Sequence, residues 1–512
     1  MPRIGAVLAL TGLLAVQAAT AATPPTPAEF ARHAETLLAN TYRADAPGVT
    51  VLVMRGDEVM YRGARGRADI AAGKPLDPGD RFRIASITKQ FAAAGLLTLV
   101  DDGKVSLDDP LSKYLPTYPG GARITIEQLL NHTSGAKEYL RIHRTIQAKY
   151  LRHGTTAQLV GSFKNDPPDF APGEGWSYSN SGYVLVGAVI EAASGMPWHH
   201  YLYSALFMPL GMNDTGYGAD PIVTLRLVKG YTTRYGPPAP SRHISMSRLH
   251  AAGALVSTVD DLARWSRALH GGLVLEPGTY TRMITPVGQA KAHDAGYGIF
   301  TSAVRGVPAL EHGGAIMGFR SHLLYVPGAD LTVAVLYNNE TPLPAHEPDV
   351  VARRLAAAAL GDPYPPVKPV VVDLAVLEQY EGVYRGDRDG SHTLRVVDGT
   401  LTVQRAGKRR FALTAIAADT FVYPDGLSRL QVLRDASGKV TGMRFWSAGG
   451  GEGVVAPLTG LAVPIDIRLP GDALGRLVGR YWAPALLVGA AIAMLYAAKL
   501  WRRRRRLAAS TL

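Results

Sequence analysis

The stretch "RFRIASITKQFAAAGLLTLV", Arg81 to Val100, decides how this chain folds. A hydroxyl and an amine, Ser86 and Lys89, stand three residues apart at the head of an almost wholly apolar run. Serine is a favoured helix N-cap, which accounts for Ser86 but not for Lys89. No proline follows until Pro110, so the pattern predicts a helix over 87–101. In that helix Lys89 projects from nearly the same face as Ser86. The face continues through Ala93, Leu96, Leu97 and Val100, with Phe91 and Leu99 opposite. A helix apolar nearly all round is a buried one. Burial disfavours the ammonium form of lysine and lowers its pKa. A neutral amine beside a hydroxyl can take its proton, which activates a serine without a His–Asp pair. The helix dipole would also favour an alkoxide at Ser86.

An S-x-x-K pattern needs context, because Ser134 to Lys137 ("SGAK") matches it too. Two further motifs supply that context. "YSN" at Tyr178 to Asn180 follows "FAPGEGW" and precedes the helical "SGYVLVGAVIEAASG". "HGG" at His312 to Gly314 lies in strand material that leads to further strands. Each has a decoy. "YNN" at Tyr337 ends a strand with no helix after it, and the "HGG" at His270 closes a helix with Gly271 as a natural C-cap.

Taken together, these motifs resemble the serine beta-lactamase and penicillin-binding-protein superfamily, which places S-x-x-K at the start of a buried central helix. The chain looks like the class C-like branch, which also holds D-aminopeptidases, D-Ala-D-Ala carboxypeptidases and esterases. "ITIEQLLNHTSG" (124–135), "PLGMNDT" (209–215), "AAGALVSTVDDLARW" (251–265) and "GYGIF" (296–300) are similar to family segments in the right order, so the resemblance covers roughly 30–345. It makes Ser134 part of a structural loop.

The resemblance implies roles. Ser86 attacks an acyl carbonyl, Lys89 and Tyr178 share the work of general base, and Asn180 bonds Lys89 or the substrate amide. The backbone N–H groups of Ser86 and Ala315 form the oxyanion hole, and Gly313 and Gly314 let substrate approach the strand edge. His312 stands where K-T-G members carry lysine, and its charge is conditional near pH 6.5. Esterase or D-aminopeptidase-like action is thereby favoured over beta-lactamase or D-Ala-D-Ala cleavage. The alternative is a penicillin-binding sensor that acylates without turnover.

Other residues carry plainer expectations. His132 is structural, Glu127 and Glu138 are solvated or capping, and Trp176 lines the cleft. His199 and His200 lack a third metal ligand at a recognisable spacing. With no cysteine in the chain, disulfides and Cys-based metal sites are excluded, and no cofactor is expected. The absence of G-x-S-x-G excludes an alpha/beta-hydrolase elbow.

Organisation follows from composition shifts. Strands around a turn at 55–57 and again after 307, with helical patterns at 87–101, 126–131, 182–193 and 258–270 between them, predict an α+β fold. Its antiparallel sheet would be built from both ends of a 28–360 domain and packed with helices. A proline-rich break at 361–369 precedes alternating segments over 373–460, the signature of a small antiparallel β barrel or meander. "GVYRG" at 382 resembles the start of lipocalin-like barrels appended to this family.

Residues 1–22 read as a secretory signal, or as an anchor if uncleaved. Tyr481 to Leu500 is apolar over about 20 residues, enough for a transmembrane helix, and Arg502 to Arg506 would hold the 501–512 tail in the cytoplasm. The expected location is the extracytoplasmic face of the inner membrane, with a small-molecule or peptide substrate, a cell-wall fragment being one candidate. Lys499 and those arginines supply six of the net +12 charges, and no basic stripe remains for a nucleic acid.

Overall fold

The structure is a computed structural model that describes residues 24–141, 153–386, 390–450 and 453–460. The signal segment 1–22, the span 481–500 and the tail 501–512 lie outside the described residues. No described helix is long and apolar enough to cross a membrane.

The expected sheet is present. An N-terminal hairpin, β1 (Val49–Arg55) and β2 (Glu58–Arg65), pairs with a C-terminal meander of β3 (Phe300–Val304), β4 (Val307–Ile316), β5 (Phe319–Val326) and β6 (Leu331–Tyr337). The order is β3-β4-β5-β6-β1-β2, antiparallel throughout. Strand β6 is buried at every position because the sheet is covered on both faces. Val333 and Val335 join the core beneath α1 (Pro27–Thr41) and a C-terminal helix, Pro348–Ala359. Ala334 and Leu336 join the core shared with the helical region. Neither covering helix was expected from the sequence. A linker is what "PPTP" at 24–27 suggests, but Thr26 and Glu29 form a capping box and Pro27 occupies the first helical turn.

The helical region is built on α2 (Thr88–Asp101), α3 (Asn180–Ser194) and α4 (Val259–His270). Helix α2 is buried from Thr88 to Leu97, as its all-round apolarity requires. Phe91 packs between Trp265 of α4, at 4.3 Å between ring centres, and Phe207, at 5.5 Å.

Residues 373–460 form a nine-stranded antiparallel sheet whose outermost strands, Arg410–Ala412 and Thr414–Ala417, flank the single residue Leu413. The sheet is therefore a nearly closed barrel around Tyr384, Leu394, Leu430 and Met443. It touches the first domain where the Gly306 N–H donates to Gly449 O at 3.1 Å and Arg354 donates to Asp425 O at 3.2 Å.

One contact ties the sheet to the turn before α2. A Cβ at Gly314 would lie 2.2 Å from Ser321 Oγ and 2.3 Å from Ile84 O. The close approach expected of substrate at Gly314 is made first by the protein's own chain. Gly314→Ala must push the Ile84–Ser86 segment away. The expected outcome is a loss of about 1–3 kcal/mol in unfolding free energy, measured by denaturant titration, with a fall in any Ser86-dependent turnover larger than the stability loss explains.

Candidate active site

Ser86 sits in a single 3-10 turn, Ala85–Ile87, that runs directly into α2. The serine side chain caps nothing. Ala85, just before it, has φ +47°. A non-glycine residue in the left-handed region costs of order 1–3 kcal/mol and persists where its surroundings over-determine it. Here the turn is clamped between Gly314 and the short strand Leu255–Ser257, whose Leu255 O accepts the Ile84 N–H at 3.1 Å.

Lys89 is fully enclosed, at 0% exposure. Its Nζ lies 2.8 Å from Asn180 Oδ1, 2.8 Å from Ala252 O and 3.3 Å from Ser86 Oγ. Burial brings its pKa down to about 7, with the Glu138 carboxylate opposing the shift. A neutral amine has two N–H donors and one lone pair. The two short contacts are to acceptors that take the donors, so the lone pair faces the serine hydroxyl.

Tyr178 completes this group. The Lys89 ammonium position is 4.7 Å from the centre of its ring. Burial pushes the phenol pKa up, and a hydrogen bond with Ser86 opposes the shift only in part. His132 lies against Tyr178 at 4.7 Å between ring centres, and its Nδ1 accepts the Ser179 N–H at 3.1 Å. Burial holds its pKa well below the usual histidine value. The structural expectation for His132 thus fits what surrounds it.

His312 lies on β4, 6.3 Å from Tyr178 between ring centres. Pairing of β3 with β4 ends at Phe300 and Glu311, so 312–316 present a free strand edge on that side. The His312 Nδ1 lies 2.6 Å from Gly313 O, while Nε2 has no partner among the described residues. Burial first, then the nearby Lys89, push its pKa down to about 3. The conditional charge expected at His312 is therefore absent at neutral pH.

A cavity of about 540 Å³ gathers the expected residues: Ser86, Tyr178, Asn180, His312, Gly313, Gly314 and Ala315 all line it. Lys89 lies behind them. Trp176 is not on its wall and instead stacks on His293 at 4.0 Å. The decoys fall elsewhere. Lys137 pairs with Asp169 at 2.5 Å, Tyr337 packs on Tyr42 in the core beyond the sheet, and His270 stacks on Tyr325 at 4.1 Å. Among the described residues no cluster could hold a metal ion.

The sequence reading missed Glu138. It is 4% exposed, so it is not solvated, and it caps the first N–H of α3. Its carboxylate accepts the Asn180 N–H at 2.6 Å, Asn180 Nδ2 at 3.3 Å and the Leu140 N–H at 3.1 Å. It thereby turns Asn180 Oδ1 toward Lys89. Glu127 is likewise engaged, by Tyr297 and Arg282. A carboxylate three residues after "SG" in a loop has no periodic signal, so only the fold brings Glu138 to Asn180.

The beta-lactamase family profile matches residues 30–358. Penicillin-binding protein 4* of Bacillus subtilis (strain 168) is 25% identical over 75% of this chain and 89% of its own length. A D-aminopeptidase of Gluconobacter oxydans (strain 621H) is 27% identical over 66% of this chain, which spans 63% of that protein. Among solved structures, a D-amino acid amidase of Ochrobactrum anthropi SV3 superposes with a TM-score of 0.57 at 26% identity, over 64% of this chain and 98% of its own. With the family match spanning well over half of its length, the chain belongs to the beta-lactamase family and is a serine hydrolase.

Proposed function

We propose that the chain hydrolyses amides or esters of D-amino acids through an acyl-enzyme at Ser86. The observation that carries this reading is Lys89, an enclosed amine near its titration midpoint at pH 7 whose Nζ lies 3.3 Å from Ser86 Oγ. Ser86 Oγ attacks the carbonyl carbon and its proton passes to Lys89 Nζ. The N–H groups of Ser86 and Ala315 hold the oxyanion. Tyr178 keeps its proton at neutral pH, so its role is the relay to the leaving group, and the base is Lys89 alone. As the carbonyl re-forms, the amine or alcohol leaves with that proton. Water then repeats the sequence on the acyl carbon, releasing the acid and restoring Ser86.

Two observations support the substrate class. A neutral His312 offers no fixed cation for a carboxylate next to the scissile bond, which disfavours carboxypeptidase action. Relatives include proteins named D-aminopeptidase and D-amino acid amidase. An extracytoplasmic location with a C-terminal membrane anchor is part of the same proposal and rests on the sequence patterns at 1–22 and 481–500.

Incubation with D-alanyl p-nitroanilide, p-nitrophenyl acetate and a fluorescent penicillin tests the reading. Turnover is expected, and Ser86→Ala should lower it by more than roughly 10³-fold. Stoichiometric labelling without turnover would instead identify a sensor, and equal behaviour of variant and wild type would exclude both.

The pH profile gives a second check. The free amine of Lys89 is the working form, so kcat/KM should rise with pH through a limb near 7 and stay high above it. Glu138→Gln removes a charge that raises the Lys89 pKa. Its limb should move to lower pH, with kcat down roughly 10- to 100-fold as Asn180 loses its anchor. A fall in kcat with an unmoved limb would reduce Glu138 to a structural role.

A further inference from the structure

Beyond the catalytic cavity, around the hairpin that joins β4 to β5, lies a larger one of about 830 Å³. Arg83, Lys229 and Arg242 line it, together with Phe319, His243 and Asp69. A third cavity, of about 490 Å³ and lined also by Glu340, adjoins both. It shares Ala315, Ile316 and Arg320 with the catalytic cavity, and Pro240, Arg242 and Met317 with the basic one.

Arg83 is the unusual residue on this path. It ends the short strand Phe82–Arg83, three positions before Ser86. Two other enclosed arginines are paired, Arg81 with Asp214 at 2.6 Å and Arg353 with Glu311. Arg83 has no such partner among the described residues. Its Nε is sealed from solvent without an acceptor, and no neighbouring carboxylate offsets its burial. A guanidinium cannot escape by losing its proton as Lys89 does. Its Cζ is 5.8 Å from the centre of the Phe319 ring, a contact that partly compensates the charge but accepts no N–H bond. Asp69, on the same wall, makes no ion pair with Arg83, and its Oδ1 accepts the Ala72 N–H of its own turn at 3.2 Å. Lys229 and Arg242 are exposed. They add positive charge at the mouth of the same cavity.

We propose that this cavity is an anion-binding site, which takes a carboxylate or phosphate group that the substrate carries at a distance from its scissile bond. Arg83 supplies a fork suited to either group, and Lys229 and Arg242 supply the surrounding field. The adjoining cavities set out a course for an extended substrate from Ser86, past Ala315 and Arg320, to the anion site. The link to the substrate rests on the proposed hydrolase reading; the anion site itself does not.

Calorimetry of the full chain with triglutamate and with inorganic tripolyphosphate tests the site. Saturable one-to-one binding is expected for at least one probe, and the tighter one identifies the group. Affinity should fall with added salt. It should fall at least roughly 10-fold in Arg83→Gln and in the double variant Lys229→Ala/Arg242→Ala, whose exposed positions protect the fold. No saturable binding by the wild type, or unchanged affinity in both variants, would overturn the site. In kinetics, the double variant should lose roughly 10-fold in kcat/KM for D-alanyl-triglutamate and nothing for D-alanyl p-nitroanilide. Equal effects on both substrates would overturn the link to the substrate. Failure of the wild type to cleave either amide would count against the hydrolase reading, while the calorimetry would still decide the anion site.

Discussion

Everything in this active site depends on one unfavourable act, the removal of the Lys89 ammonium from water. At the surface, by contrast, Lys113 meets a carboxylate, Asp109, at 2.8 Å. Lys89 meets two neutral acceptors instead, and the nearest carboxylate, Glu138, engages Asn180. The balance leaves its pKa close to neutrality rather than restored to 10.5 or driven far below 7. Glu138 sets that balance, near enough to limit the fall and too well occupied to claim the proton. Helix α2 must be apolar all round for this to work, and so the catalytic requirement and the core requirement fall on the same residues.

The same desolvation acts on each neighbour with a different outcome. Tyr178 is kept protonated, His132 and His312 are kept neutral, and only Lys89 is left near its midpoint. One enclosed pocket thus leaves one of four titratable side chains near its midpoint and holds the other three in their neutral forms. Arg83 shows the limit of the device. Its pKa starts too high for burial to neutralise it, so the charge persists beside an open cavity.

Much of this was legible in sequence, for identifiable reasons. The S-x-x-K pair and α2 could be read because periodicity, motif and burial all point the same way over one local stretch. The strands could be read because strands covered on both faces remain short, β-branched apolar runs bounded by turn residues. What could not be read depends on distant segments meeting. Glu138 reaches Asn180 across 42 positions, and Gly314 is a glycine because of Ile84. The charge of His312 was open in sequence because it depends on how deeply β4 is buried beside Lys89. The helices α1 and Pro348–Ala359 were missed where proline-rich text masked a capping box and an alanine-rich run.

The central sheet also sets an order of events. Within it β1 pairs with β6, and Val53 faces Val333. These partners are separated by the whole helical region, so the pairing closes a very long loop and the sheet has high contact order. As the chain emerges from the ribosome, the β1–β2 hairpin exists long before β6 does, with the valines of β1 uncovered. Helices α2, α3 and α4 can form on local contacts in that interval, but the turn that holds Ser86 cannot be clamped until Gly314 arrives. Catalytic competence is therefore among the last properties the chain acquires, and a truncated product would carry a buried lysine without the strand that makes it useful.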